Sequence, residues 1–375
     1  MTKVVIVKAN SYDTQVVEQV MQDLLAHLGG IERYINAGER VLVKPNMLEA
    51  VDKASGVTTH PEVVRAVVRM VKSAGAIPVV GDSPGVGNLR KVAEKCGIWQ
   101  VCQEEGVLLV SFNEIAELAL PEGILLKKLN VANVVTEVDK VISLAKMKTH
   151  SFMGVTGAVK NLFGLFVGTD KAQFHLRMKH RTDFARMLVD LYRAIKPVLS
   201  IVDGITGMEG AGPRNGQVVR SGVLLAGSCG FSVDLVMADI MGFDAEQMPV
   251  AQAALAAGLS PALAAIDRVG SGKDEHLHFK EPRNFDSLER KLPGWLVDFS
   301  QNQFTAKPLI DRACIGCGRC AEHCPPKAIR IIQGKAVIDY RECIRCYCCQ
   351  ELCPADAVSL SDGRLLRLVK WLRER

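Results

Sequence analysis

The sequence predicts an α/β architecture, a mostly parallel sheet covered by helices, followed by a smaller α+β unit near the C-terminal end. Two observations carry this expectation. Short β-branched runs alternate with stretches of helical period through the first two thirds of the chain. Beyond them, Cys314-x-x-Cys317-x-x-Cys320-x-x-x-Cys324-Pro325 is repeated as Cys343-x-x-Cys346-x-x-Cys349-x-x-x-Cys353-Pro354.

Lys3–Lys8 opens the chain as a strand, and Thr14–Leu28 continues it with apolar spacing near 3.6 until Gly29-Gly30 stops the helix. Residues 40–43 form the next strand. Residues 61–74 form a helix, with Pro61 suited to the first helical position and Gly75 to the cap. Further strands are expected at 77–80, 107–110, 140–145, 199–202 and 223–225, and further helices at 86–96, 182–194 and 231–241.

The segments just after the strands bear on function. Lys44-Pro45-Asn46 comes after Val43, Gly81-Asp82-Ser83-Pro84-Gly85 after Val80, Lys146-Met147-Lys148-Thr149-His150 after Ala145, and Asp203-Gly204 after Val202. Open parallel sheets bind ligands outside the carboxyl ends of their strands, so these segments are read as loops meeting along one edge. The cations Lys44, Lys146, Lys148 and Lys160, with Asn46, Thr59, Ser83, Gly85 and Asn161, are the candidate binding residues for a phosphate- or carboxylate-bearing molecule. Thr59 opens a helix whose N-terminus suits an anion. His60, His150 and Asp82 are the acid–base candidates, with Asp203 and Glu209 in the same set of loops, and a histidine among lysines is held toward its neutral form. Nucleotide motifs are incomplete: Gly85-Val86-Gly87 runs into Arg90, and Gly272-Lys273 into Asp274.

The cysteine runs have the bacterial spacing for cubane iron–sulfur ligation. Residues 307–332 align with 335–360 with one inserted residue, so each half reads as strand, cluster loop, short helix, strand. Zinc sites favour two Cys-x-x-Cys pairs across a spacer, which differs from two runs of four ending in Cys-Pro. Residues 305–360 resemble the bacterial two-cluster ferredoxin domain, which makes the C-terminal unit an α+β two-cluster ferredoxin-like domain with two [4Fe-4S] clusters. In that class the fourth cysteine serves the other cluster. The resemblance therefore implies one set of Cys314, Cys317, Cys320 and Cys353, and a second of Cys343, Cys346, Cys349 and Cys324. Cys348 is left over as a packed thiol, and Cys96, Cys102 and Cys229 sit in apolar contexts that suit a reducing compartment.

The net charge of +5 lies wholly in residues 307–375, with 13 Lys+Arg against 8 Asp+Glu; the remainder has 46 − 13 = 33 against 41 − 8 = 33. Two clusters at about −2 each nearly cancel that excess, which removes the main argument for nucleic acid. Arg319, Lys327, Arg341 and Arg345 then compensate the clusters or meet an acidic partner. No apolar run reaches the roughly 18 residues of a membrane span, and the start is no secretory signal. The expected place is the cytoplasm of an anaerobic prokaryote.

VLVKPN (41–46), TTHPEVV (58–64), GDSPG (81–85), KTH (148–150), VKNLFG (159–164) and IVDGITGMEGAGP (201–213) together resemble the family catalogued as domain of unknown function 362, over roughly residues 3–265. That resemblance implies an architecture with a ferredoxin domain attached, and a candidate site more than a reaction.

The expected organisation is an α/β ligand-binding domain of one or two lobes over 1–266, a linker and docking segment over 267–304, the ferredoxin-like unit over 305–360 and a basic amphipathic helix over 361–375. Residues 171–186, with His175 and His180, are read as a lid. The functional expectation is an iron–sulfur oxidoreductase that exchanges electrons with an anionic substrate or a flavin-like, deazaflavin-like or other phosphate-bearing organic cofactor in the α/β domain. Its alternative is a non-catalytic electron carrier or assembly protein recognising a redox partner protein.

Overall fold

A computed structural model describes residues 2–168, 171, 173, 174, 178, 180–282 and 307–361. The large domain is built on a nine-stranded sheet. Its strands are β1 (Lys3–Lys8), β2 (Arg40–Pro45), β3 (Ile77–Asp82) and β4 (Leu108–Ser111), then, past a separate hairpin of β5 (Ile115–Ala119) and β6 (Lys128–Ala132), β7 (Lys140–His150), β8 (Gly154–Thr156), β9 (Leu199–Glu209), β10 (Gln217–Gly227) and β11 (Asp267–Val269). The order is β11-β1-β10-β9-β7-β2-β3-β4, with β8 folded back on β7. Neighbours from β9 to β4 are parallel, while β10 is antiparallel to both β9 and β1.

Side-chain alternation divides the sheet between two helical layers. Val41 and Val43 pack with Val5, Val80, Ile142 and Leu144 against α1 (Thr14–Leu28), α2 (Pro61–Ser73), α3 (Leu89–Lys95) and α4 (Ile98–Glu104). Leu42, Val79 and Val141 face the other way, onto the short α5 (Ala158–Asn161) and α6 (Arg181–Ile195). Val4, Ile6, Ala145 and Val202 pack on α7 (Gly230–Ile240) and α8 (Pro249–Ala256). Local signals start and stop these helices. Asp13 caps α1 by accepting from Gln15 N and Val16 N, and Gly29 ends it at φ 90°, where glycine carries no Cβ penalty.

Two expectations change. β7, β9 and β10 run 11 residues each, so the segments 146–150 and 203–204 are strand and not loop. The polar residues there lie opposite other strands, with Lys146 directly across from Asp203, and a paired lysine hides the strand signal that apolar content would give. The large domain also extends past residue 266. β11 pairs with β1, Gly272 N bonds Ile6 O, and Phe279 is buried beside Met241, so residues 267–282 belong to this domain and not to a linker. Residues 283–304 of the expected linker and docking segment, His175 in the expected lid, and residues 362–375 of the expected C-terminal helix lie outside the described residues.

The small unit keeps its internal repeat. β12 (Lys307–Ile310), α9 (Arg319–Glu322) and β13 (Ile329–Ile332) are succeeded by β14 (Lys335–Ile338), α10 (Cys348–Glu351) and β15 (Val358–Ser361). The halves interlock, β12 pairing with β15 and β13 with β14, both antiparallel.

Candidate functional site

Interlocking brings distant cysteines together. Cys314, Cys317, Cys320 and Cys353 line one apolar cavity, and Cys324, Cys343, Cys346 and Cys349 line another. Each cavity thus takes its fourth sulfur from the opposite run. Backbone N–H groups point at the sulfurs: Ala336 N lies 3.5 Å from Cys314 Sγ and Ala357 N 3.2 Å from Cys353 Sγ. Such donors hold thiolate charge, and the bond from Ala336 leads the causes that lower the Cys314 pKa.

The carboxyl edge of the sheet holds the predicted polar residues, which divide into two classes. Lys44 is fully buried and its Nζ lies 2.7 Å from Asp82 Oδ1, with further bonds to Pro45 O at 3.1 Å and Asn161 Oδ1 at 3.3 Å. Asn161 donates back to Lys44 O, and Asp82 also accepts from Met47 N and Ser83 N. A Cβ at Gly164 would collide with Asp82, so close approach by glycine is part of the arrangement. Lys146 donates to Asp203 Oδ2 at 2.9 Å, Tyr12 OH at 2.8 Å and Thr206 Oγ1 at 3.2 Å. Burial lowers the pKa of both lysines and their carboxylates oppose this. All three protons of each ammonium are taken internally. Lys44, Lys146 and Asp82 are therefore tied into an internal polar scaffold, because a buried charge must find its partners inside the protein.

Several other candidates join that scaffold. Thr59 Oγ1 donates to Leu144 O and accepts from Asn46 N. The start of α2 is occupied by His60, whose Nδ1 accepts from Glu62 N at 3.2 Å, so this N-terminus holds a side chain in place of the expected anion. His60 stacks on Tyr12 with ring centres 3.6 Å apart, and burial pushes its pKa down to about 4. Ser83 accepts from Lys171 Nζ at 2.9 Å, and Gly85 N bonds Leu48 O.

Lys148 and Lys160 form the second class. Lys148 Nζ donates to Asn46 Oδ1 at 2.8 Å and Val57 O at 2.7 Å, which leaves one proton without a partner among the described residues. Burial, with Lys160 and Lys146 adding repulsion, pushes its pKa down to about 7. Lys160 makes neither a hydrogen bond nor an ion pair among the described residues; its Nζ stands 5.5 Å from the Phe163 ring centre. It is aimed by Asp234 of α7, which accepts from Ala158 N at 2.6 Å and Val159 N at 3.0 Å at the start of α5. His150 Nδ1 accepts from Phe152 N and Met153 N, which places its proton on Nε2.

The small unit closes over these residues. Glu351 Oε1 lies 3.3 Å from His150 Nε2. Burial raises the Glu351 pKa to about 7, opposed by Lys160 and Lys148. Tyr347 is 2% exposed and joins the apolar cluster of Phe152, Phe163 and Phe184 from the large domain. Asn215 Nδ2 donates to Gln350 O at 3.4 Å, from a segment held by Ser151 Oγ donating to Gly212 O. Arg214 pairs with Glu49 through Nε, while its Nη1 is buried without a partner among the described residues, as is Gln350 Oε1. The second cysteine cavity, with Cys348 on its rim, thus abuts the two uncommitted lysines. Sequence reasoning places Tyr347, Gln350 and Glu351 only in a cluster loop and misses this contact. Their one signal is repeat asymmetry, since Tyr347 stands where the first half has Gly318.

Comparison with known proteins bears on both domains. Residues 41–239 match the family described as domain of unknown function (DUF362). The chain belongs to that family. Attached to the DUF362 region, residues 307–354 match a 4Fe-4S dicluster domain. A thylakoid-associated protein of Synechocystis sp. is 35% identical over 262 residues, which are 70% of this chain and 81% of that protein. Among solved structures, the lactate racemase apoprotein from Thermoanaerobacterium thermosaccharolyticum aligns with a TM-score of 0.38 at 12% identity, over 61% of this chain and 55% of that one. Among the described residues of this DUF362 member, no helix is long and apolar enough to cross a membrane.

Proposed function

We propose that this protein is an iron–sulfur oxidoreductase that exchanges single electrons with an anionic small molecule or organic cofactor at the junction of its two domains. In this reading Cys314, Cys317, Cys320 and Cys353 hold one [4Fe-4S] cluster, and Cys324, Cys343, Cys346 and Cys349 the other. When bound, the clusters supply one-electron redox chemistry. The observation that carries the reading is the seating of the second cysteine loop, through Tyr347 and Glu351, on Lys148, Lys160 and His150.

Each residue has a definite task there. The spare proton of Lys148 and the ammonium of Lys160 bind negative charge, where low dielectric strengthens the attraction. His150, with its proton on Nε2, faces Glu351 across the same place, and Tyr347 excludes water from it. The paired Lys44–Asp82 and Lys146–Asp203 hold the strand ends that present these groups. The thylakoid association of the cyanobacterial relative supports a role in electron transport.

The test uses anaerobically purified full-length protein. Iron and sulfide are measured, and the supernatant of denatured protein is searched by absorption and mass spectrometry for a released anionic compound. Lys148→Met with Lys160→Met is expected to lose that compound and keep the iron. Iron for two clusters, with no released compound and no effect of the double variant on electron transfer, overturns this function in favour of a plain carrier.

A further inference from the structure

The two halves of the small unit differ in charge and in what covers them. Residues 307–332 hold five basic residues, Lys307, Arg312, Arg319, Lys327 and Arg330, against Asp311 and Glu322, a balance of 5 − 2 = +3. Residues 335–360 hold Lys335, Arg341 and Arg345 against Asp339, Glu342, Glu351 and Asp356, a balance of 3 − 4 = −1. A cluster at about −2 in each half leaves the first near +1 and the second near −3. Tyr347 and Glu351 of the acidic half face the lysines of the sheet edge.

The outward side of the basic half is built around the first cysteine cavity. Cys317 is exposed, and Ile315, 66% exposed, lines that cavity. The loop through Gly316 lies directly against the tip of the β13–β14 hairpin, since a Cβ on Gly316 would run into the carbonyl of Gly334. Lys335 strengthens the contact by donating to Cys314 O at 2.6 Å. Register then sorts the hairpin. Ile329, Ala336 and Ile338 point inward and are buried, whereas the cross-strand pairs Arg330–Val337 and Ile332–Lys335 form its outer face. Ile332 is 51% and Val337 46% exposed. The result is a hairpin face on which two large apolar side chains alternate with two cations, and whose tip at Gly334 meets the loop that carries Ile315 and the exposed Cys317.

Resting on the electron-exchange reading above, we propose that this surface, Ile315, Cys317 and the outer face of the β13–β14 hairpin, docks an acidic one-electron carrier protein. Apolar side chains supply the desolvated centre such an interface needs, and the cations steer an acidic partner and fix its orientation. The step is a single electron transfer: the reduced carrier loses one electron, this protein gains it at the exposed cysteine set, and no bond is made or broken. The electron then has the second set between it and the junction, so the chain runs from a basic outer port to a buried inner one.

The experiment monitors cluster bleaching in the full-length holoprotein by anaerobic stopped flow, with a reduced acidic ferredoxin as the probe carrier and dithionite as the small reductant. With the acidic ferredoxin, raising salt from about 0.05 to about 0.5 M is expected to slow reduction by about tenfold, in line with screening of steered association. Arg330→Glu is expected to slow it by a similar factor, and Ile332→Asp as well, while both variants keep wild-type rates with dithionite. Equal rates for wild type and Arg330→Glu with the acidic carrier, or a rate that salt leaves unchanged, overturns the docking proposal. A wild-type protein that dithionite itself fails to reduce would instead sink the electron-exchange reading on which the proposal rests. An Arg330→Glu variant that changes sedimentation but no rate assigns the face to self-association and likewise overturns it.

Discussion

The two cysteine loops share one spacing and one backbone path, yet one is built for exposure and the other for docking. In the first loop the left-handed positions are Gly316 at φ 65° and Gly318 at φ 80°; in the second they are Arg345 at φ 54° and Tyr347 at φ 62°. A side chain in that region costs about 1–2 kcal/mol relative to glycine. The first half, near solvent, avoids the cost. The second accepts it, because the ring of Tyr347 enters the apolar core of the large domain and Glu351 reaches His150. Where a repeat keeps its ligand spacing but exchanges glycine for a bulky residue, the exchange marks the half that has gained a second task.

The largest difference between the loops is expected at Tyr347. Tyr347→Ala removes a buried ring, and calorimetry should show a loss of about 3–5 kcal/mol from the unit's transition. Ile315→Ala, on the exposed loop, should stay within about 0.5 kcal/mol. Comparable losses at both positions would mean that the loops are equivalent.

Lys148 sharpens the contrast through pH. Its folded pKa of about 7 lies below the ordinary 10.5 of a lysine. Between those values the unfolded chain binds the proton that the folded protein has released, so the contribution of Lys148 to stability falls as pH is lowered from 10.5 to 7. The limit of that loss is on the order of 3–5 kcal/mol. Denaturant titrations of wild type and Lys148→Met across this range should diverge, with the variant gaining relative stability toward the acid end. Parallel curves would show that the wild-type lysine stays charged through a partner.

A smaller effect is expected at Gly316. Gly316→Ala should cost about 1–2 kcal/mol from its backbone conformation and should also disturb the contact with Gly334. Arg345→Gly, at the equivalent place in the second loop, should be neutral or slightly stabilising by thermal melt.

Much of this is legible in the residues. The alternation of strands and helices comes from apolar period, and the interlocked cysteine sets from what the resemblance to two-cluster ferredoxins implies. The edge motifs stand out in the sequence, but what they do is only partly readable there. Lys44, Lys146, Lys148 and Lys160 look alike. Their difference arises from partners distant in the chain, Asp82 for the first and Asp203 for the second, while Lys148 and Lys160 make no direct ion pair among the described residues and share the field of the buried Glu351. Strand length is underestimated because residues 146–150 carry charge inside the sheet, where cross-strand Asp203 makes that of Lys146 tolerable. The contact of Tyr347 and Glu351 with His150 and the lysines stays hidden because its two sides come from different domains, distant in the chain.

In the proposed arrangement one cluster set faces Lys148 and Lys160 and the other faces solvent. Potentiometric titration monitored by electron paramagnetic resonance, on wild type and Lys160→Met, tests it most directly. Removing a cation beside one cluster disfavours its reduced form. The prediction is that one of two potentials falls, that it belongs to the signal lost in Cys346→Ala, and that the other is unchanged. Equal shifts in both, or a shift confined to the signal lost in Cys317→Ala, would contradict the arrangement.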